Sequence, residues 1–296
     1  MTDQAKRGIR TAQTGLLVNA TLAVVKIVAG VVGRSQALIA DGIESTVDVF
    51  SSLVVWGGLR IASRSADDDY PFGYGKAEQL AAAMVGLLLL GAAVMISVES
   101  IHQITTPHQA PRPFTLAVLV GVVLIKEVLF RRVVRVGADL GSTAVKADAW
   151  HHRSDAITSA AAFVGISIAL IGGHGWESAD DWAALLAAGI IVYNGIGVLR
   201  PAVHDLMDRA PGEELLSRVS AAATGVSGVC AIEKLKVRKA GMGYWVDLHV
   251  QADPTLPLEQ AHVLSGMVKS AIRAAVPEVS GALIHMEPYD GGAATE

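Results

Sequence analysis

Six apolar windows, each about as long as a bilayer is thick, constrain this chain more than any other feature. A hydrocarbon core of about 30 Å is crossed by about 20 mostly apolar residues in a helix. Such windows run from Gly15 to Val32, Ala37 to Ile61, Leu80 to Val98, Phe114 to Phe130, Ala144 to Ile171 and Trp182 to Val203. The second and fifth are interrupted by ionisable side chains and score poorly on hydropathy alone. Composition points the same way, because charged residues make up 18% of the chain against about 25% in soluble domains. So much apolar surface needs a lipid solvent.

A formal charge of −4 leaves no basic footprint for nucleic acid. The single cysteine, Cys230, rules out an intramolecular disulfide and any cysteine-rich metal cluster. The apolar stretch after Lys6, Arg7 and Arg10 is too long for a signal peptide and no small-residue cleavage site follows it, so the first span is expected to be retained. Lys and Arg in the short loops set orientation. Lys6, Arg7, Arg10, Arg60, Arg64, Lys76, Arg131, Arg132, Arg135, Arg200 and Arg209 fall on one side, against little beyond Arg34 and Arg112 on the other. Both termini are therefore expected to be cytoplasmic.

After Arg209 the pattern becomes that of a soluble α+β module. A helix opened by Pro211 and Gly212 runs through Ala223, and strand-like runs follow at Glu233 to Arg238 and Gly243 to Gln251. A second helix spans Leu258 to Ala275 and a last strand Ala282 to Glu287. That order predicts a small sheet with helices on one face. The expected division is a six-helix membrane domain over 1–208, a cytoplasmic domain over 209–290 and a disordered tail over 291–296. The second domain is small for independent stability, which favours dimerisation through it.

Two segments inside the second and fifth windows repeat one another. Ala40-Asp41 is followed by Glu44 and Asp48, and Ala147-Asp148 by His151 and Asp155. On a helix, residues four apart lie one above the other on one face. Glu44 with Asp48 and His151 with Asp155 thus form two pairs of ligands. If the two helices meet, three carboxylates and one imidazole converge on a point, a set that suits zinc and also tolerates iron, manganese or cobalt. Carboxylates held in hydrocarbon cost several kcal/mol each unless they neutralise or bind a cation. Asp41 and Asp148 lie two turns away and read as outer-shell or pathway groups. Asn19, Lys26, Lys126 and Glu127 also interrupt apolar windows, and bundle contacts or snorkelling account for them.

These segments resemble the signature helices of the cation diffusion facilitators. So do Ser35 to Asp41, Phe72 to Glu78 before the third span and Asp205 to Arg209 after the sixth. The resemblance covers about Gly8 to Tyr289 and is nearest to the bacterial iron-and-zinc branch of efflux pumps. It implies six transmembrane helices, a ferredoxin-like cytoplasmic domain, and export of divalent metal in exchange for protons by a homodimer. Zn2+ is the first cargo to expect, with Fe2+, Mn2+, Co2+ and Cd2+ as alternatives. No prosthetic group and no enzymatic activity are implied, and the setting is a multi-pass protein of the bacterial inner membrane.

Carried over by motif, the transport site falls on Glu44, Asp48, His151 and Asp155, although members more commonly place Asp or His where this chain has Glu44. A further loop site used by the branch is not expected, because Tyr70 and Tyr74 stand at its histidine positions beside Asp67 and Asp68. His249, His262, His285 and Glu287 match regulatory ligands of some members. Strand alternation puts His285 and Glu287 on one face, and Glu233 falls near another ligand position. Lys76 and Asp208 match residues that form a charge pair in relatives. Two rival readings are a non-transporting metal-sensing partner subunit and an intramembrane metallohydrolase. An intact ligand set weighs against the first. The filled coordination and the lack of a His-Glu-x-x-His helix weigh against the second.

Overall fold

The computed structural model describes the backbone of residues 3–106, 109–140, 143–241, 243–289 and 291. Its side chains are described from residue 15 onward, apart from 107–108, 136–154, 156–157, 242, 290 and 292–296. The expected tail beyond Gly291, Asp148, the His151 side chain and the basic residues before Thr14 lie outside the described side chains.

Six long helices come first: α1 (Asp3–Gly33), α2 (Gln36–Ala62), α3 (Lys76–Thr105), α4 (Phe114–Leu140), α5 (Thr143–Gly172) and α6 (Ala179–Leu206). Each contains one of the apolar windows and extends beyond it. Among the described residues, Gly15–Gly33, Lys76–Thr105 and Ala179–Leu206 are long and apolar enough to cross a membrane, and Thr158–Gly172 is a shorter apolar helix. α2 carries Asp41, Glu44 and Asp48 in its first half, and α4 carries Lys126, Glu127 and the arginines that follow.

The chain divides into two compact units, Met1–Val55 with Met84–Leu199 and Trp56–Ala83 with Arg200–Glu296. In the first, α4 packs against α5 and α1. Its core is built from Leu38, Ala40, Ala93, Leu119, Ile166, Ala188 and Ile191. The many alanines let helix backbones approach closely. Outward faces of these helices remain strongly apolar, with Leu17, Val28, Leu87 and Ile171 all exposed. A belt of that extent is soluble only in lipid.

The second unit contains α7 (Glu213–Thr224), β1 (Ala231–Ala240), β2 (Gly243–Ala252), α8 (Leu258–Ala275) and β3 (Val279–Pro288). The sheet order is β1-β2-β3. β1 and β2 form an antiparallel hairpin, and β3 lies parallel to β2 after the α8 crossover. Both strands of the hairpin and β3 run longer than the sequence pattern suggested, because edge residues that pair in the ladder carry no apolar signal of their own.

Alternation turns Val246, Leu248 and Val250 of β2 inward with Val237 and Ala282. Val219 and Ala223 of α7, and Leu264, Val268 and Ile272 of α8, close over that face. The other face carries Trp245, Asp247, His249, His285 and Glu287. The turn after β1 approaches the loop before α3 so closely that a Cβ on Gly75 would stand 2.8 Å from the Gly241 backbone nitrogen. Gly241 itself has φ +66°, a conformation that L side chains avoid.

Candidate metal centres

A turn brings α1 against α2, the helix that carries the expected ligands Glu44 and Asp48. Arg34 ends α1 in the left-handed region at φ 55°, and Ser35 caps α2, its Oγ accepting from the Leu38 N–H at 3.2 Å. The i, i+4 spacing then aligns Glu44 with Asp48 on α2. Asp41 lies one turn before Glu44 on α2, and Ser159, one turn beyond Asp155 on α5, donates to it at 2.8 Å. Three of the four expected ligands, drawn from both helices, therefore share one region.

Two buried lysines line that region. Lys26 of α1 is fully buried and lies 2.8 Å from Asp41 Oδ2. It also donates to Ser45 Oγ at 3.0 Å and Ser159 Oγ at 3.2 Å. Ser159 donates in turn to Asp41 Oδ2 at 2.8 Å, which ties α5 to α2. Lys126 of α4 lies 2.5 Å from Asp155 Oδ2 and donates to Asn19 Oδ1 at 2.9 Å. The two lysines are 0% and 1% exposed, so snorkelling does not describe them. Both heads point inward and are held by acids. A lysine within an apolar window has to find a counter-charge somewhere, which was the available signal; the identity of that partner lies in tertiary contacts.

A second cluster stands on the open face of the three-stranded sheet. His249 pairs with His285 across the parallel β2–β3 register, and Gln251 with Glu287. The His249 Nδ1 to Glu287 Oε1 distance is 2.6 Å, His285 Nε2 lies 3.6 Å from the same oxygen, and the imidazole centroids are 4.9 Å apart. One donor atom from each of His249, His285 and Glu287 falls within 4.8 Å of the others. A β-bulge between Ile232 and Lys234 re-aims Glu233. Its hydrogen bond is the main influence holding the Glu287 carboxyl below the usual range, with His249 adding to it. His262 is exposed on α8 and is not one of this group.

The loop between α2 and α3 engages its acid otherwise. Asp67 accepts from the Tyr70 N–H at 2.8 Å through one oxygen and from the Tyr74 hydroxyl at 2.7 Å through the other. The tyrosine hydrogen bond keeps the Asp67 carboxyl below its usual range, and the backbone bond from Tyr70 reinforces this. Near the same end, Lys76 Nζ lies 3.0 Å from Asp208 Oδ1, and Arg238 lies 3.2 Å from Asp208 Oδ2. Lys239 lies 3.0 Å from Asp205.

An apolar helical bundle enclosing acids and counter-charges, joined to a small α+β domain that gathers imidazole and carboxylate, defines a membrane protein that handles cations. Residues 12–207 match the family described as Cation efflux transmembrane domain, and residues 211–289 match Cation efflux protein, cytoplasmic domain. The chain belongs to the cation diffusion facilitator family of metal transporters. It is similar to Manganese efflux system protein MneP of Bacillus subtilis, at 31% identity over 95% of this chain and 96% of that protein. Cation-efflux pump FieF of Citrobacter koseri is 32% identical over 94% of this chain and 92% of that one. Among solved structures, MamM-CTD 215-293 is 27% identical, covering 26% of this chain and 98% of that chain with a TM-score of 0.26. The family is one of transporters, and the protein is a multi-pass membrane protein that carries divalent metal out.

Proposed function

We propose that the protein is a metal–proton antiporter whose cargo is held by Glu44, Asp48, His151 and Asp155. The observation that carries this reading is the hydrogen bond from Ser159, one turn beyond Asp155 on α5, to Asp41, one turn before Glu44 on α2, inside a lipid-facing bundle. Coordination needs ionised carboxylates and a neutral imidazole. Metal arriving from the cytoplasm displaces ligand protons, and protons arriving from outside evict the metal once the bundle opens outward. His151, with an ordinary pKa of about 6.5, is the ligand suited to proton exchange near neutrality. The chain works as a homodimer with six spans, both termini in the cytoplasm of a bacterial cell, and a functional division at residues 208 and 209.

Zn2+ is the proposed cargo, since it accepts a four-ligand oxygen and nitrogen set. Mn2+ is the second reading, favoured by three carboxylates to one imidazole and by a relative named as a manganese efflux protein. On the cytoplasmic sheet, His249, His285 and Glu287 form a regulatory site for the same metal. The test is flux in proteoliposomes across an imposed pH gradient, comparing Zn2+ with Mn2+. D48A and D155A should each abolish transport while the protein still purifies as a folded dimer. Undiminished flux in either variant refutes the site, and flux indifferent to the gradient refutes the antiport.

A further inference from the structure

We propose that Lys126 is a tethered counter-cation that competes with the transported metal for the Asp155 carboxylate and so sets how readily the site gives up its cargo. This rests on Asp155 being a transport ligand. The side chain is 1% exposed, and its ammonium touches Asp155 Oδ2 directly. Lys26 makes a useful contrast. Its acid is Asp41, which stands outside the proposed ligand set, and two serines from α2 and α5 complete its coordination. Lys26 is a fixed joint between helices, whereas Lys126 sits on an atom the metal needs.

A divalent ion bonds a carboxylate oxygen at about 2 Å, and an ammonium in contact with that same oxygen would lie within strong like-charge repulsion of it. Metal entry therefore requires Lys126 to withdraw. Asn19 Oδ1, already 2.9 Å from Nζ, offers a neutral acceptor that lets the head move without entering lipid. The charges support an exchange of cation for cation. Among the described residues, Lys26 is in contact with Asp41 and Lys126 with Asp155. When the ion departs, Lys126 returns to Asp155 and lowers the cost of a site without cargo.

The experiment is calorimetric titration of Zn2+ into the full chain in detergent, with H249A and H285A present throughout to silence the cytoplasmic sheet. K126Q should bind Zn2+ at least about tenfold more tightly and show lower maximal efflux from vesicles, because release slows. K126R keeps the charge in a fork that grips Asp155 with two bonds and should bind Zn2+ more weakly. A lysine that merely holds α4 to α5 predicts the opposite for K126Q, so weaker or unchanged binding by folded K126Q overturns the proposal. Should K126Q fail to fold, K126R decides: weaker binding supports the proposal, and equal or tighter binding overturns it. D155N separates this idea from its foundation. If D155N abolishes Zn2+ binding while K126Q leaves it unchanged, only the role of Lys126 falls. If D155N leaves the affinity intact, the membrane site falls as well.

Discussion

Asp180 of α6 accepts a hydrogen bond from the Ser35 hydroxyl at 2.8 Å, clamping the start of α2 to a different helix. Its second oxygen accepts from the Gln36 N–H at 2.5 Å and reaches the Ala37 N–H at 3.4 Å. Together with Ser35, it satisfies the donors that open every helix, at the head of the helix that carries Glu44 and Asp48. D180A leaves buried donors unmet and should cost about 1–3 kcal/mol for each bond lost. Thermal unfolding in detergent measures this, and a midpoint equal to that of the wild type contradicts it.

Glu287 bridges two imidazoles from neighbouring strands, so H285A should remove Zn2+ binding from this face of the sheet. In wild type, Zn2+ at about 100 times its Kd should stabilise the cytoplasmic part by about 2.7 kcal/mol. The shift should vanish in H285A and in E287Q. A Zn2+-dependent shift that survives both variants would place the effect elsewhere.

Asp208 has a titration consequence. Burial pushes its carboxyl up, but hydrogen bonds and charge from Lys76 and Arg238 outweigh this and hold it below the usual range. A lowered acid stabilises the fold above its unfolded pKa of about 3.9, and that contribution fades as pH falls through the folded value. Because the group is partly open to solvent, D208N should cost no more than about 1 kcal/mol near neutrality. Asn suits the left-handed φ of 55° at this position, so the variant removes the charge and one acceptor without a backbone penalty. The gap between the two melting curves should hold from pH 5 to pH 8 and close in stronger acid. A gap that widens on acidification contradicts the sign.

Gly75 has no space for a side chain, since the atoms a methyl group would strike belong to the Ala240 and Gly241 backbone. G75A should therefore destabilise by about 1–3 kcal/mol, the cost of overpacking. Unfolding in denaturant reads this, and a neutral outcome would mean that the loop and the hairpin separate freely.

The outlines of the helices and strands were legible because their signals are local. Lengths of apolar chain, Pro211 with Gly212, and alternation in β2 are all visible along the sequence. The pairing of Glu44 with Asp48 followed from helix periodicity alone. What a single sequence hides is the partner across the fold. Lys126 and Asp155 are 29 positions apart, and no periodicity links them, so the sequence left bundle contacts and snorkelling as equal readings of both lysines. Asp180 escaped notice because an acid in the first turn of a helix already has a local explanation in the helix dipole. Glu233 was flagged near a ligand position, but the bulge beside it, which shifts the ladder by one residue, carries no signal in the sequence.

His249 and His285 stand side by side on two strands that run in the same direction, with the whole of α8 looped between them. An ion gripping both would act as a removable staple, shortening the freedom of the loosened chain as a covalent crosslink does. The folded sheet would then grow sturdier as cytoplasmic metal rises and slacken as it falls, turning its resistance to heat or protease into a gauge of the cell's metal load.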